Sequence, residues 1–167
     1  MAKDAAAVET RATELLSDSA IPYAVHQYDP ATPLASEGDS LPIDAFDHPR
    51  RVFRTHIVDA DGLPLSLLVP IAAQLDLAAA AAAVGATSAH PLDPAVVKRA
   101  TGYQAESVSP IGMRKFIAGV VDITALDHRT VYVSAGEPGF VVELSPSDLI
   151  EVMGARTAPI TRQDWIR

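Results

Sequence analysis

Val52-Phe53-Arg54-Thr55-His56-Ile57-Val58 and Leu65-Ser66-Leu67-Leu68-Val69 stand on either side of Asp61-Gly62. Both runs are rich in β-branched or apolar residues. Asp-Gly between such runs is the strongest short-range hairpin signal, because both residues tolerate the positive φ of a two-residue turn. The stretch therefore predicts two antiparallel strands at the centre of the chain.

Working outward from that hairpin, helical and extended segments alternate. Downstream, Asp76 opens an Ala-rich helix that Gly85 can end, and Asp93-Pro94 opens another that Gly102 can end. The carboxylates suit N-caps, Pro94 suits the first helical position, and the glycines suit C-caps. Val120 to Ile123, Thr130 to Ser134 and Phe140 to Leu144 read as strands, the last two joined by the turn Ala135–Gly139. Ser145-Pro146-Ser147-Asp148 caps a closing helix ending near Gly154, and Arg156 to Ile160 reads as a short last strand. Upstream, Val8, Ala12, Leu15 and Leu16 recur at helical spacing within Asp4 to Ala20, Tyr23 to Tyr28 reads as a strand, and Asp29 to Pro49 as a long loop. Long loops are often functional. With no internal repeat or linker, the pattern predicts one α+β domain over residues 1–167, with 161–167 as a C-terminal tail. Its plan is a mixed, curled, barrel-like sheet with helices packed around it.

The composition narrows the chemistry. A 49% apolar and 20% charged chain of 167 residues can bury a single core, and no apolar run is long enough for a membrane span. The opening MAKDAAAVETRATELL carries acids within an Ala-rich stretch and does not read as a signal peptide, so a cytoplasmic protein is expected. The absence of cysteine removes disulfides, thiolate metal sites and a cysteine nucleophile. A net charge of −8 argues against broad binding to DNA or RNA, while a local contact to an RNA end stays open. Arg50, Arg51 and Arg54, then Lys98 and Arg99, then Arg114 and Lys115 form basic clusters; solvated surface charge is the bland reading of each.

No familiar catalytic motif is present. His26, His48, His56, His90 and His128 show no paired spacing on a helix, so no metal site is expected. There is no G-x-S-x-G elbow for a serine nucleophile, and no Gly-rich phosphate loop from which to expect a nucleotide cofactor. What remains is a set of small and polar segments at element ends: Thr101-Gly102-Tyr103, Ser109-Pro110-Ile111-Gly112 and Ser134-Ala135-Gly136. Such segments can bring backbone N–H groups close to a ligand, or can simply be turns.

Three longer strings go further: VPIAAQLDL (69–77), DPAVVKRATGYQAESVSPIG (93–112) and TVYVSAGEPGFVVELSPSDL (130–149). Together, with LDL, RATGY, SPIG and YVSAG in this order, they resemble the YbaK family, also called the prolyl-tRNA-synthetase-associated editing domain. The resemblance implies an enzyme that cleaves the ester joining an amino acid to the terminal adenosine of a mischarged tRNA, notably cysteine or alanine on proline tRNA. Such editing is needed because a few methylenes yield only about 1–3 kcal/mol of discrimination in the synthetase pocket. In cysteine-specific members the substrate's own thiol attacks the ester. The implied partners are the CCA end of aminoacyl-tRNA and prolyl-tRNA synthetase, with neither DNA nor a membrane.

By the same resemblance, Arg54, Ser134 and Gly136 are the catalytic candidates, and Tyr28, Gly102, Tyr103, Ser109 and Gly112 the substrate-binding ones. Arg54 stands where the family pattern V-x-K-T has lysine, Val141 where cysteine-specific members have aspartate, and Glu37-Gly38 where their first long loop has an apolar aromatic. Arginine keeps the charge but cannot act as a neutral base. Two other readings stay open: a noncatalytic protein binding an aminoacyl-nucleotide or a synthetase on the same fold, and a hydrolase of simple esters.

Overall fold

The computed structural model describes residues 8–28 and 49–162. Positions 4–7 of the first predicted helix, 29–48 of the predicted loop (Glu37 and Gly38 with them) and 163–167 of the tail lie outside the described residues.

The first helix, α1 (Arg11–Asp18), begins later than its apolar spacing predicts. The reason is a reciprocal cap: Thr10 Oγ1 accepts from the Thr13 N–H, and Thr13 Oγ1 accepts from the Thr10 N–H. These bonds satisfy N–H groups that would otherwise be orphaned at the helix start, so Thr10 sets the boundary. The Thr10 hydroxyl also donates to the Ala135 carbonyl at 2.6 Å, which fixes α1 against the turn that follows Ser134.

β1 (Ala24–Gln27) follows, and after the loop come β2 (Phe53–Ala60) and β3 (Leu63–Pro70). The hairpin forms as predicted, with Ala60 opposite Leu63 and Phe53 opposite Pro70. Both turn residues hold left-handed backbone, with φ 50° at Asp61 and 92° at Gly62, matching the twist of paired strands. The helices α2 (Leu77–Ala83) and α3 (Pro94–Thr101) start at Asp76 and Asp93. Between them lies β4 (Ala89–Pro91), which the sequence reading missed because three residues including His90 and Pro91 carry no strand pattern. β5 (Ala118–Asp122), β6 (Val131–Ser134), β7 (Phe140–Leu144), α4 (Pro146–Met153) and β8 (Arg156–Ala158) complete the chain order.

The expected curled sheet consists of two ladders. One has the order β4-β2-β3-β5-β8, antiparallel at the hairpin and parallel from β3 to β5 and β5 to β8. The other is an antiparallel β1-β7-β6 sheet. Among the described residues, one parallel bridge, Val52 to Tyr132, joins them. Leu16 from α1, Leu149 from α4, Leu68 from β3 and Val133 and Val142 from the smaller sheet are all buried in one core between the ladders. A second core lies on the other face of the hairpin, where Val58, Leu65 and Leu67 meet Ala80 of α2 and Ile160. Past Ala158, Thr161 bridges to Leu75 and the Arg162 N–H donates to the Gln74 carbonyl, so these two residues remain docked.

Asp122 closes the larger sheet. Its carboxylate, fully buried, accepts from the Thr124 N–H and hydroxyl through Oδ2 and from the Ile160 N–H through Oδ1. Removing it strands the buried Ile160 N–H and the partly buried Thr124 N–H at once, so Asp122→Ala is expected to lower unfolding free energy by about 3 kcal/mol, read from urea denaturation.

Candidate active site

Among the described residues, β3 covers one edge of β2 along its whole length, whereas β4 covers the other edge only at Val58–Ala60. Of the rest of β2, Phe53 to His56 line, together with Val52, a cavity of about 530 Å³. Opposite it stands the 3-10 turn Ala105–Ser107 that follows α3, and the end of the smaller sheet supplies Ser134, Pro138 and Val141. Tyr28, just past β1, and Ile71 complete the wall. A second hollow of about 470 Å³ shares Arg54, His56 and Ile71 with the first, so the cleft continues across β2. The larger cavity lies within the ordinary range for small-molecule sites, about 300–1,000 Å³.

The ionisable groups of its wall are Arg54, His56, Tyr28 and the exposed Glu106. Arg54 and His56 are two apart on a strand and so share one face, opposite Val69 and Leu67 of β3. Arg54 is exposed, and its charge reaches both His56 and Tyr28. Burial, helped by the Arg54 charge, lowers the His56 pKa from 6.5 to about 4, so this imidazole is neutral at neutral pH. Burial raises the Tyr28 phenol above its ordinary value against a backbone hydrogen bond from Gly139 and the Arg54 charge, so it stays a neutral hydroxyl. Thr55 and Ser107, both buried in the wall, have side-chain oxygens with no hydrogen-bond partner among the described residues. Buried hydroxyls are usually paired, so these two are buried polar atoms of the wall left uncommitted among the described residues.

His56 also ties stability to pH. Above pH 6.5 the imidazole is neutral in both native and unfolded chains, and its site is without penalty. As pH falls from 6.5 toward about 4, the unfolded chain takes up the proton first and native stability drops. Between pH 7 and pH 4.5, His56→Gln is expected to lose about 2–3 kcal/mol less stability than the natural protein, measured by urea unfolding at both pH values.

Of the residues singled out from the sequence, the cavity brings together Tyr28, Arg54 and Ser134. The Ser134 hydroxyl donates to the Ser107 carbonyl at 2.8 Å and accepts from the Gly136 N–H at 3.0 Å, which bonds it to the turn across the cavity. Gly136 lies behind this wall: a Cβ there would stand 2.4 Å from Tyr103 Cε1, so Gly136 is the floor on which the Tyr103 ring rests. Tyr103 is itself buried, with its hydroxyl donating to the Ile111 carbonyl at 2.6 Å, and burial raises its pKa to about 12. Ser109 is fully buried and accepts from the Ile111 N–H; Gly112 lies against the backbone of Arg11 and Ala12; Gly102 caps α3 beside Arg114. Gly102, Tyr103, Ser109, Gly112 and Gly136 do not line the cavity, and the contacts they make in this structure are packing contacts. His56, Thr55 and Ser107 are wall residues that the sequence reading did not select; the i, i+2 spacing of Arg54 and His56 on a predicted strand was the available signal.

A second group of ionisable side chains is already satisfied. Glu143 receives hydrogen bonds from Thr130 and His26 and pairs with Arg51 at 3.0 Å, while Arg51 also bonds Thr130 and lies 4.9 Å from the Tyr132 ring centre. Burial alone would raise the Glu143 pKa; these partners outweigh it and hold the carboxyl below its ordinary value. The cluster fastens the segment before β2 to the smaller sheet. Among the described residues, no three His, Asp or Glu side chains gather into a metal cluster, and no helix is long and apolar enough to cross a membrane.

The model of the aminoacyl-tRNA editing domain matches residues 45–152, which spans the whole cavity wall except Tyr28. The chain belongs to this family. Its activity class is thus aminoacyl-tRNA editing, a deacylation. The editing domain is 26% identical, over 98% of its length and all of the relative's, to a protein of Enterococcus faecalis described as a candidate Cys-tRNA(Pro)/Cys-tRNA(Cys) deacylase, EbsC. In fold it is similar to the hypothetical protein APE2540, with TM-score 0.80 and 20% identity over 92% of this chain and 100% of that one. It is also similar to a structure described as a candidate trans-editing enzyme for prolyl-tRNA synthetase, with TM-score 0.78 and 19% identity over 91% and 95%.

Proposed function

We propose that this editing domain acts in trans, in the cytoplasm, on a small amino acid misattached to tRNA, with cysteine on proline tRNA as the leading substrate. The observation that carries the reading is the cavity beside Phe53–His56 of β2, where the cation Arg54 stands beside a neutral imidazole and a neutral phenol, with Glu106 on the opposite turn. The likeness to a candidate Cys-tRNA(Pro) deacylase supports the choice of amino acid, and the likeness to a candidate trans-editing enzyme for prolyl-tRNA synthetase makes that synthetase the proposed partner.

In this reading the aminoacyl ester enters the cavity with its carbonyl oxygen toward Arg54. Charge developing on that oxygen in the tetrahedral intermediate is stabilised by the guanidinium, an effect strongest where water is excluded. With cysteine the thiol sulfur attacks the carbonyl carbon, the bond to the ribose oxygen breaks, and the proton lost by the thiol ends on that oxygen. Neutral His56 carries the proton between them, a task open to an imidazole that is not already protonated. Arginine, always charged, serves only electrostatics and positioning. Val141 is apolar where cysteine-specific members carry a carboxylate; the carboxylate of this wall is Glu106, on the turn opposite β2, and in this reading His56 takes up the thiol proton.

The test is deacylation of tRNA charged separately with cysteine, alanine, serine and proline, on matched and mismatched tRNAs, with and without prolyl-tRNA synthetase. Rapid loss of a mischarged species with prolyl-tRNA(Pro) spared supports the reading. Loss of none above the blank overturns it in favour of a noncatalytic binding protein.

A further inference from the structure

The protein is acidic overall, with 21 acidic against 13 basic residues, yet its cations are unevenly placed. Lys98 and Arg99 occupy the last turn of α3. The chain then returns: the Arg114 N–H donates to the Thr101 carbonyl at 2.9 Å, and Arg114 Cβ and Nε stand 3.6 and 3.7 Å from where a side chain on Gly102 would begin. Arg11 reaches the same spot from α1, its Nη1 4.0 Å from that point and its Nε bonded to the Gly112 carbonyl. Two basic pairs that are separate in sequence thus become neighbours.

None of Arg11, Lys98, Arg99, Arg114 and Lys115 has a carboxylate within ion-pair distance among the described residues. The partial negative charge at the end of α3 accounts for the cations of its own last turn and for Arg114, which lies beside the Gly102 cap, but not for Lys115. Directly after them Phe116 is 76% exposed, more than any other large hydrophobic side chain described. A lone exposed phenylalanine is ordinary. One following an unpaired cationic pair matches the way proteins hold single-stranded nucleic acid, with cations along the backbone and an aromatic face for a base.

The position also fits. Tyr103 follows Gly102 directly and packs on Gly136, and the next turn, Ala105–Ser107, is the cavity wall. We infer that the patch formed by Lys98, Arg99, Arg114, Lys115 and Phe116 seats the acceptor end of tRNA. Its phosphates lie on the cations and an unpaired base against Phe116, while the terminal ester reaches the cavity. The inference rests on the editing reading and adds to it the surface that carries the RNA. It also explains how a chain of net charge −8 engages tRNA: through a small concentrated site rather than a generally basic surface.

The test compares two substrates of the full chain: mischarged tRNA, and the same amino acid esterified to adenosine, which has no phosphates. Replacing Lys98, Arg99, Arg114 and Lys115 by Gln together is expected to lower kcat/KM for tRNA roughly 10- to 100-fold and to flatten its salt dependence by about one logarithmic unit per charge lost. Phe116→Ala is expected to weaken tRNA use without changing the salt slope. Hydrolysis of aminoacyl-adenosine is expected to stay at the natural level in both. An unchanged tRNA rate and salt slope in the fourfold variant, or an equal loss on both substrates, overturns the inference. If the natural protein hydrolyses neither ester, the editing reading fails by itself, and tRNA affinity in a salt series still decides the patch: the fourfold variant must bind more weakly, or the patch is not the RNA surface.

Discussion

Arg54→Ala is expected to reduce single-turnover deacylation by about 10²- to 10³-fold, the range seen when one group stabilising a developing oxyanion is removed. Arg54→Lys is expected to remain within about tenfold of the natural rate, because the charge is kept while the planar fork is lost. The contrast is informative because Arg54 is exposed on β2 and contributes to neither core, so thermal unfolding of both variants should match the natural protein. If alanine leaves the rate unchanged, the charge in this cavity does not act on the reacting carbonyl. If lysine raises the rate well above the natural value, the arginine at this position holds turnover down.

Gly112→Ala is expected to be the most destabilising single change outside the cavity. A Cβ at this position would lie 2.7 Å from the carbonyl carbon and oxygen of Arg11 and 2.9 Å from the Ala12 nitrogen. These are backbone atoms that cannot rotate away, and the residue's φ of +74° is itself unfavourable for alanine. Strain and overpacking together should cost roughly 3–5 kcal/mol, or about 10 °C in Tm. Gly85→Ala is the control. Its φ, +71°, is almost the same, but nothing lies within 4 Å of the added atom, so only the backbone strain of about 1 kcal/mol is expected. Equal losses at the two sites would show that α1 does not pack on Gly112 as described.

These two positions also show which parts of the site could be read in advance. Gly112 stood out in the sequence because glycine beside Ser-Pro-Ile suggests a close backbone approach, and a close approach is what the structure contains. The approaching group, however, is the backbone of α1 rather than the cavity. Gly102, Ser109 and Gly136 share this ambiguity, since a small residue serves ligand contact and tight packing equally well. Arg54 could be placed in the site by resemblance, and its strand followed from local pattern. For His56 the i, i+2 spacing gave the face it shares with Arg54 but not the cavity, because that depends on where a neighbouring strand stops, and β4 is three residues long with no pattern of its own. Thr55 and Ser107 are likewise ordinary residues whose hydroxyls matter only because burial left them unpartnered among the described residues.

By itself, then, the sequence determined the local elements: the hairpin at Asp61-Gly62, the helices begun by Asp76, Asp93 and Ser145, and the strands between them. These follow from backbone dihedrals, capping and apolar period, which act over a few residues and are written in adjacent positions. Tertiary structure alone decided that the strands divide into two ladders joined at Val52 and Tyr132, that β4 pairs with β2 only at Val58–Ala60, and that Arg11 and Arg114 meet at Gly102, the cap of the helix carrying Lys98 and Arg99. Those outcomes depend on contacts between residues far apart in the chain, whose burial and charge are fixed only when the whole core has closed around them.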